Sequence, residues 1–225
     1  MTKSVITEAL RPIELHQVDR LALSQKLEAA LTRVTRKLDK NIVAFGDKFP
    51  GEACENGVWP RTDNVEWTTS FWPGQLWLAW EMTGKAHYRD AAERYLPSFA
   101  RRIEQRIDTA THDLGFLYSL SCISAWRLTG NEAARRSALL AAERLMERFN
   151  PTANIIQAWG DLNDPEQQGR MIIDCNLNVP LLFWAANETG NQRWRDAACC
   201  HLAQAARYLV RGDASTFHTF YMDVH

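Results

Sequence analysis

The chain has 225 residues, and hydrophobic residues make up 46% of them, which is enough for the core of one domain. Its 26 lysines and arginines nearly balance its 27 aspartates and glutamates, so the formal net charge is -1. This balance gives no support for a nucleic-acid or an anionic-membrane partner, because binding to either one requires clustered positive charge.

The N-terminus and the cysteines bear on where the protein works. Residues 1–17 mix charges with single apolar residues and lack the continuous apolar stretch of a secretory signal. We treat them as an extension that precedes a single domain over residues 18–225. The five cysteines form no C-x-x-C pair, so neither a zinc site nor a redox motif is predicted, and the cytoplasm is the expected compartment.

The first predicted element is a helix from Val18 to about Phe45, and three similar segments follow it. Each segment is an apolar stretch that ends in Thr-Gly, at Gly84, Gly130 and Gly190. Because glycine readily adopts the left-handed backbone conformation found just past a helix, each glycine marks a helix end. Amphipathic runs with one charged face follow the glycines, over residues 87–107, 132–149 and 192–210.

Apolar and amphipathic helices in alternation are typical of the inner and outer helices of a toroid or solenoid. We therefore predict an all-α fold that is built from helical hairpins. The glycines are 46 and 60 residues apart, so a ring closed by six hairpins would need about 320 residues. We expect an incomplete ring of about three to four hairpins, truncated at the C-terminus.

A tryptophan and two aspartates occupy equivalent places in the three repeats. Trp67 and Asp113 each lie 17 residues before the glycine of their own repeat, and Asp174 lies 16 residues before its glycine. Pro73 and Pro180 follow six residues after Trp67 and Asp174, and proline is favoured in the first turn of a helix. The three residues are therefore predicted to lie where inner helices begin, at the same mouth of the ring.

The two aspartates have two interpretations. They can be ordinary N-caps, because Asp is favoured at that position and complements the helix dipole. Asp174, however, lies between two isoleucines and a cysteine, and apolar surroundings favour the neutral carboxyl form that a general acid requires. Two carboxylates in one pocket suit acid–base chemistry on a sugar. We predict Asp113 and Asp174 as catalytic residues.

Three further side chains are candidates for contact with a ligand. His112 precedes Asp113 directly, and Trp159 lies in the long connection between the second and third repeats, where binding loops are common. His218 lies where the next inner segment should begin. Neither a glycine-rich phosphate loop, an H-E-x-x-H pattern nor a G-x-S-x-G elbow occurs, so phosphate transfer, zinc hydrolysis and serine-esterase chemistry have no support.

Three motifs in this order resemble those of the unsaturated glucuronyl hydrolases, which form glycoside hydrolase family 88. They are Trp67–Ala79, His112–Tyr118 and Ile172–Leu182, and the similarity extends from about residue 20 to the end of the chain. One departure is Asn176-Leu177, where the family commonly has methionines.

The resemblance implies an (α/α)6 barrel that releases a 4,5-unsaturated uronic acid from the non-reducing end of lyase-generated oligosaccharides. It also implies hydration of the C4=C5 enol ether, with Asp174 as the proton donor, Asp113 as the second carboxylate, and no metal or cofactor. Residues that match family positions near the sugar are Trp67, His112, Trp159 and His218.

Two alternatives remain open at this point. An unsaturated rhamnogalacturonyl hydrolase uses the same barrel and related chemistry. A non-catalytic glycan-binding toroid is also compatible with the pattern of hairpins.

Overall fold

The computed structural model describes residues 19–224, so the predicted N-terminal extension, residues 1–17, lies outside the described part. The chain divides into two compact units, Met1–Gly46 and Asp47–His225. The described part of the first unit is one helix, α1 (Arg20–Phe45), as predicted. Asp19 caps it by accepting a hydrogen bond from the Ala22 amide at 3.0 Å.

The second unit contains nine described α-helices and a π-helical turn at Ser119–Ile123 between α5 and α6. The helices are α2 (Phe71–Thr83), α3 (Ala86–Glu93), α4 (Leu96–Glu104), α5 (Leu114–Tyr118), α6 (Ser124–Thr129), α7 (Glu132–Met146), α8 (Cys175–Asn178), α9 (Pro180–Thr189) and α10 (Gln192–Tyr208).

The three predicted hairpins are confirmed. Gly84, Gly130 and Gly190 end α2, α6 and α9 with φ angles of 68°, 71° and 75°, in the left-handed region where a side chain is disfavoured. The amphipathic helix that follows each glycine packs against the apolar one before it, as α3 does on α2, α7 on α6 and α10 on α9. Pro180 is the first residue of α9, as its sequence position predicted.

The first outer helix differs from its prediction as one helix over residues 87–107. It is interrupted between α3, which ends at Glu93, and α4, which begins at Leu96. Pro97 explains the break, because its ring would clash with the carbonyl group of Glu93, four residues earlier, in a continuous helix. The proline instead occupies the first turn of α4, where it is tolerated.

Three short antiparallel ladders, which the sequence did not predict, join segments that lie outside the helices. They pair β1 (Phe49–Pro50) with β2 (Arg61–Thr62), β3 (Phe149–Asn150) with β4 (Ile155–Ile156), and β5 (Arg170–Ile172) with β6 (Thr219–Tyr221). In the last ladder Ile172 is opposite Thr219, which brings the end of the chain beside the segment that leads into Asp174.

A buried arginine organises the loop before α2. Arg102 of α4 is 1% exposed. Its guanidinium donates to Asn64 Oδ1 at 3.0 Å and to Asp108 Oδ2 at 3.0 Å. Asp108 Oδ2 also accepts from the Glu66 amide at 2.6 Å. Because a buried charge must be paired and hydrogen-bonded, this network fixes the loop that carries Trp67.

Within residues 19–224, none of the helices combines the length and the hydropathy that crossing a bilayer requires.

Candidate active site

A buried histidine lies between the two predicted carboxylates. His112 is 2% exposed. Its Nε2 atom is 3.3 Å from Asp113 Oδ1 and 3.4 Å from Asp174 Oδ1. Asp113 immediately precedes α5 and Asp174 immediately precedes α8, and neither side chain caps its helix. Both carboxylates therefore point to one imidazole instead of to the backbone of their helices.

Asp113 is held by donors on both of its oxygens. The Thr111 hydroxyl lies 2.7 Å from Asp113 Oδ2, and the Asn178 amide lies 3.3 Å from Asp113 Oδ1. The hydroxyl oxygen of Thr111 also accepts from the Asp113 backbone amide at 3.1 Å, so its proton is directed to the carboxylate. These two hydrogen bonds fix the orientation of the carboxylate.

Asp174 has different surroundings. Its side chain is 34% exposed, so the setting is more open than the flanking isoleucines predicted. Its Oδ1 atom is buried and accepts no hydrogen bond from the described residues. No donor among the described residues therefore occupies this oxygen, in contrast to both oxygens of Asp113.

The neighbouring thiol is not a nucleophile. Burial raises the pKa of Cys175 to about 12, and the adjacent charge of Asp174 acts in the same direction. A thiol with this pKa stays protonated at neutral pH, and the thiolate is the reactive form.

Trp67 packs against two aromatic side chains, one of which belongs to the helix that follows Asp113. Its side chain is 42% exposed, and its ring centroid lies 6.2 Å from that of Phe71 and 6.0 Å from that of Phe116. Phe116 is the third residue after Asp113 in the chain, and its amide donates to Asn178 Oδ1 at 2.8 Å. An indole supported from behind by aromatic rings is suited to stack on a sugar face.

Trp159 lies on the other chain segment that borders Asp113. It pairs with Thr111 in an antiparallel bridge, and the His112 amide donates to the Ala158 carbonyl at 2.8 Å. The Trp159 side chain is 37% exposed, and the Arg170 guanidinium lies 5.4 Å from its ring centroid. The bridge connects this tryptophan directly to the segment that carries both His112 and Asp113.

A second buried arginine fixes the Trp159 segment. Arg148 donates to the Gln157 carbonyl at 2.8 Å and to the Gly160 carbonyl at 3.1 Å, on either side of Trp159. Burial lowers the pKa of Arg148 to about 10, while the charge of Asp113 raises it. The guanidinium is therefore still charged at neutral pH and contributes positive charge near Asp113.

The structure places His218 beside the chain segment that leads into Asp174. Its carbonyl accepts from the Ile173 amide at 3.0 Å, and its imidazole Nδ1 lies 2.6 Å from the Thr219 hydroxyl. The ring is exposed. His218 therefore borders the Asp174 side of the site, whereas the Trp67 and Trp159 segments border the Asp113 side.

One group among the described residues could hold a metal ion. The ligand atoms of His112, Asp113 and Asp174 lie within 4.8 Å of one another. The imidazole already lies between the two carboxylates and supplies a positive group when it is protonated. The expectation that the reaction needs no metal stays a prediction.

Three residues that position the site were not predicted from the sequence: Thr111, Asn178 and Arg148. Thr111 had a local signal, because a hydroxyl two residues before an aspartate can bond to that residue's backbone. Asn178 lies four residues after Asp174, on the same face of a helix, but its bond to Asp113 joins residues that are 65 positions apart. The role of Arg148 depends on the fold of the connection after α7, and no sequence pattern predicts that fold.

No family model matches the chain, but comparisons with individual proteins find relatives. The chain is 47% identical over 184 residues to an unsaturated glucuronyl hydrolase of Bacillus sp. (strain GL1), covering 82% of this chain and 49% of that protein. It is 40% identical over 223 residues to an unsaturated chondroitin disaccharide hydrolase of Streptococcus pneumoniae, covering 99% of this chain and 56% of that protein.

A crystal structure of an unsaturated glucuronyl hydrolase from Streptococcus agalactiae superposes with a TM-score of 0.85 at 42% identity, covering 87% of this chain and 49% of that one. The helical-hairpin architecture is thus that of a helical toroid, present here as an incomplete ring. The chain spans about half the length of the curated relatives that it matches.

Proposed function

Because the chain belongs to the unsaturated glucuronyl hydrolase family, we propose that the protein releases a 4,5-unsaturated uronic acid from the non-reducing end of lyase-generated oligosaccharides. The observation that carries the proposal is the pair of carboxylates that converge on His112 in unlike surroundings. One carboxylate is hydrogen-bonded on both oxygens, and the other has an oxygen without a donor. Such a difference is what separates the roles of two carboxylates in one site.

Asp174 is the proton carrier in the proposed reaction. Its carboxyl group delivers a proton to C4 of the enol ether, and positive charge develops at C5. The resulting carboxylate then accepts a proton from the water whose oxygen adds to C5, which regenerates the acid. The product is a hemiketal at C5. Its ring opening breaks the bond between C5 and the ring oxygen and leaves a hemiacetal at C1, and collapse of this hemiacetal to an aldehyde releases the remaining sugar as an alcohol. General acid and base catalysis by one positioned group is a recognised source of rate acceleration.

Asp113 is a fixed anion in this scheme. Its two donors, Thr111 and Asn178, hold the carboxylate in one orientation. Its negative charge stabilises the positive charge that develops at C5, and its oxygens orient the substrate or the attacking water. His112 lies between the two acids, with its Nε2 atom 3.3 Å from an oxygen of Asp113 and 3.4 Å from an oxygen of Asp174.

The substrate class we propose is an unsaturated glycosaminoglycan disaccharide of the chondroitin type. The named activity of the Streptococcus pneumoniae relative supports this choice. The partly exposed indoles of Trp67 and Trp159 border Asp113 and offer apolar faces to a sugar ring. His218 offers a polar contact beside Asp174. We propose the cytoplasm as the compartment, which the five free thiols support.

The test is loss of the enol-ether ultraviolet absorbance on unsaturated chondroitin and hyaluronan disaccharides. Asp174→Asn should lower kcat by about 10²- to 10⁴-fold, because it removes the general acid, and the thermal melting curve should be unchanged. Asp90→Asn, an isosteric change at an exposed ion pair with Arg89, is the control and should keep full activity. Normal turnover by Asp174→Asn would remove this residue from its role.

The same assay separates the alternatives. A rate that is higher on unsaturated rhamnogalacturonyl disaccharides than on chondroitin disaccharides would favour the rhamnogalacturonyl hydrolase. Binding of these sugars without any decrease in absorbance would favour a glycan-binding toroid.

A further inference from the structure

Asn178 connects the two short helices that carry the acids. It is the last residue of α8, which begins directly after Asp174, and it is 1% exposed. Its side-chain oxygen accepts from the Phe116 amide at 2.8 Å, and its amide nitrogen lies 3.3 Å from Asp113 Oδ1. One side chain therefore contacts both the start of α5 and the carboxylate that precedes it.

This contact replaces the usual cap of α5. The first backbone N–H groups of a helix have no partner inside the helix, and an aspartate at the N-cap normally accepts from one of them. Asp113 occupies that position and does not do so. Asn178 accepts from Phe116 instead, so the Asp113 carboxylate is free to face His112.

The approach of the two helices is fixed by their backbones. A Cβ atom added to Gly115 would overlap the Cα atom and the carbonyl oxygen of Asn178. Glycine is thus the residue that allows α5 and α8 to touch here. The separation of Asp113 from Asp174 is set by this contact, because Asp174 is only four residues from Asn178.

The hydrogen-bond pattern also fixes which way the Asn178 amide points. Its oxygen must face the Phe116 N–H group, so its NH2 group faces Asp113. An NH2 group can only donate, so Asn178 contacts Asp113 as a hydrogen-bond donor. Thr111 supplies the matching donor on the other oxygen of Asp113.

We propose that Asn178 is a positioning residue of the reaction: it holds the Asp113 carboxylate in one orientation and at a set distance from Asp174, the proposed proton carrier. The inference rests on the proposed function. It assigns to Asn178 an effect on the chemical step that acts through Asp113, without contact with the substrate.

Asn178→Asp in the full chain tests the proposal. The new carboxyl group keeps the acceptor for Phe116 and replaces the donor to Asp113 with an acid. At neutral pH we expect kcat to fall about 10- to 100-fold, the effect of losing one hydrogen bond to a charged group, with KM unchanged. At acid pH the new group is protonated and donates again, so the optimum of kcat should move to lower pH. A merely structural residue would not move this optimum.

Asn187→Asp is the matched control, because it makes the same isosteric change on an exposed residue of α9 that contacts Arg195. It should keep the wild-type pH profile. If Asn178→Asp does not fold, Asn178→Ser shortens the side chain so that its donor no longer reaches Asp113, adds no charge, and should lower kcat at every pH with KM retained.

A wild-type kcat and pH profile in Asn178→Asp would overturn the proposal, and so would an unchanged kcat in the serine variant. Absence of activity in the wild type, on every unsaturated uronide, would contradict the proposed function instead.

Discussion

His201 of α10 is a buried titratable group outside the catalytic pair. It is fully buried, and its Nδ1 atom accepts from the Ile156 amide at 2.8 Å, while its Nε2 atom is buried without a partner among the described residues. Burial lowers the pKa of His201 from 6.5 to about 4, and the charge of His112 acts in the same direction. The folded protein therefore keeps this ring neutral where an unfolded chain would protonate it.

The stability of the fold should depend on pH through this residue. Between pH 6.5 and about 4 the unfolded state binds a proton at His201 that the folded state does not, so the free energy of unfolding falls as the pH falls. At about 1.4 kcal/mol per pH unit, the full effect is about 3 kcal/mol below pH 4. Between pH 7 and pH 5 the expected loss is about 2 kcal/mol.

The assay is urea unfolding at pH 7 and at pH 5, for the wild type and for His201→Asn. Asparagine keeps an acceptor for the Ile156 amide and does not titrate. The wild type should lose about 2 kcal/mol more than the variant between the two pH values. His87→Asn is the control, because His87 is exposed on α3, and it should lose as much as the wild type. If His201→Asn loses as much stability as the wild type between the two pH values, then burial does not keep the His201 ring neutral in the folded protein.

Two further substitutions test the packing that positions the site, both by urea unfolding. Gly115→Ala should lower the free energy of unfolding by about 1–3 kcal/mol, because the new methyl group overlaps the Asn178 backbone, whereas Gly212→Ala, with open space at its Cβ position, should not. Arg102→Met should lower it by about 3 kcal/mol, because this buried guanidinium donates five hydrogen bonds. Arg101→Met, at the exposed neighbouring arginine, should have little effect, and equal losses for the two arginines would contradict this reading.

The hairpins could be predicted because their signals are local. A Thr-Gly pair after an apolar run requires a left-handed residue at a known position, and Gly84, Gly130 and Gly190 all adopt it. Pro97 was also a local signal, yet the amphipathic pattern of the first outer helix concealed it. The spacing of buried residues stays helical across the break between α3 and α4, because the buried residues of α4 continue the buried face of α3.

The ladders and the contacts around the acids could not be predicted in the same way. The β5–β6 pair joins segments about 50 residues apart, and each strand is only three residues long, which is too short for an alternating pattern. Asn178 is identified only once α5 and α8 are known to touch. Long-range contacts of this kind depend on the packing of the hairpins, which repeat spacing alone does not specify.

The N-cap interpretation placed the two aspartates correctly at the starts of helices, but the hydrogen bonds that it implies to the helix backbone are not formed. Asp113 and Asp174 do lie at helix starts, and neither carboxylate caps its helix. A carboxylate that accepts from its own helix has its orientation set by that helix. In α5 the cap comes from Asn178, a residue of another helix. The carboxylate at the N-cap position of α5 is therefore not needed for capping and can take part in the chemistry. In this chain the start of a helix positions the aspartate. A side chain from a neighbouring helix determines whether the carboxylate caps that helix or faces the site.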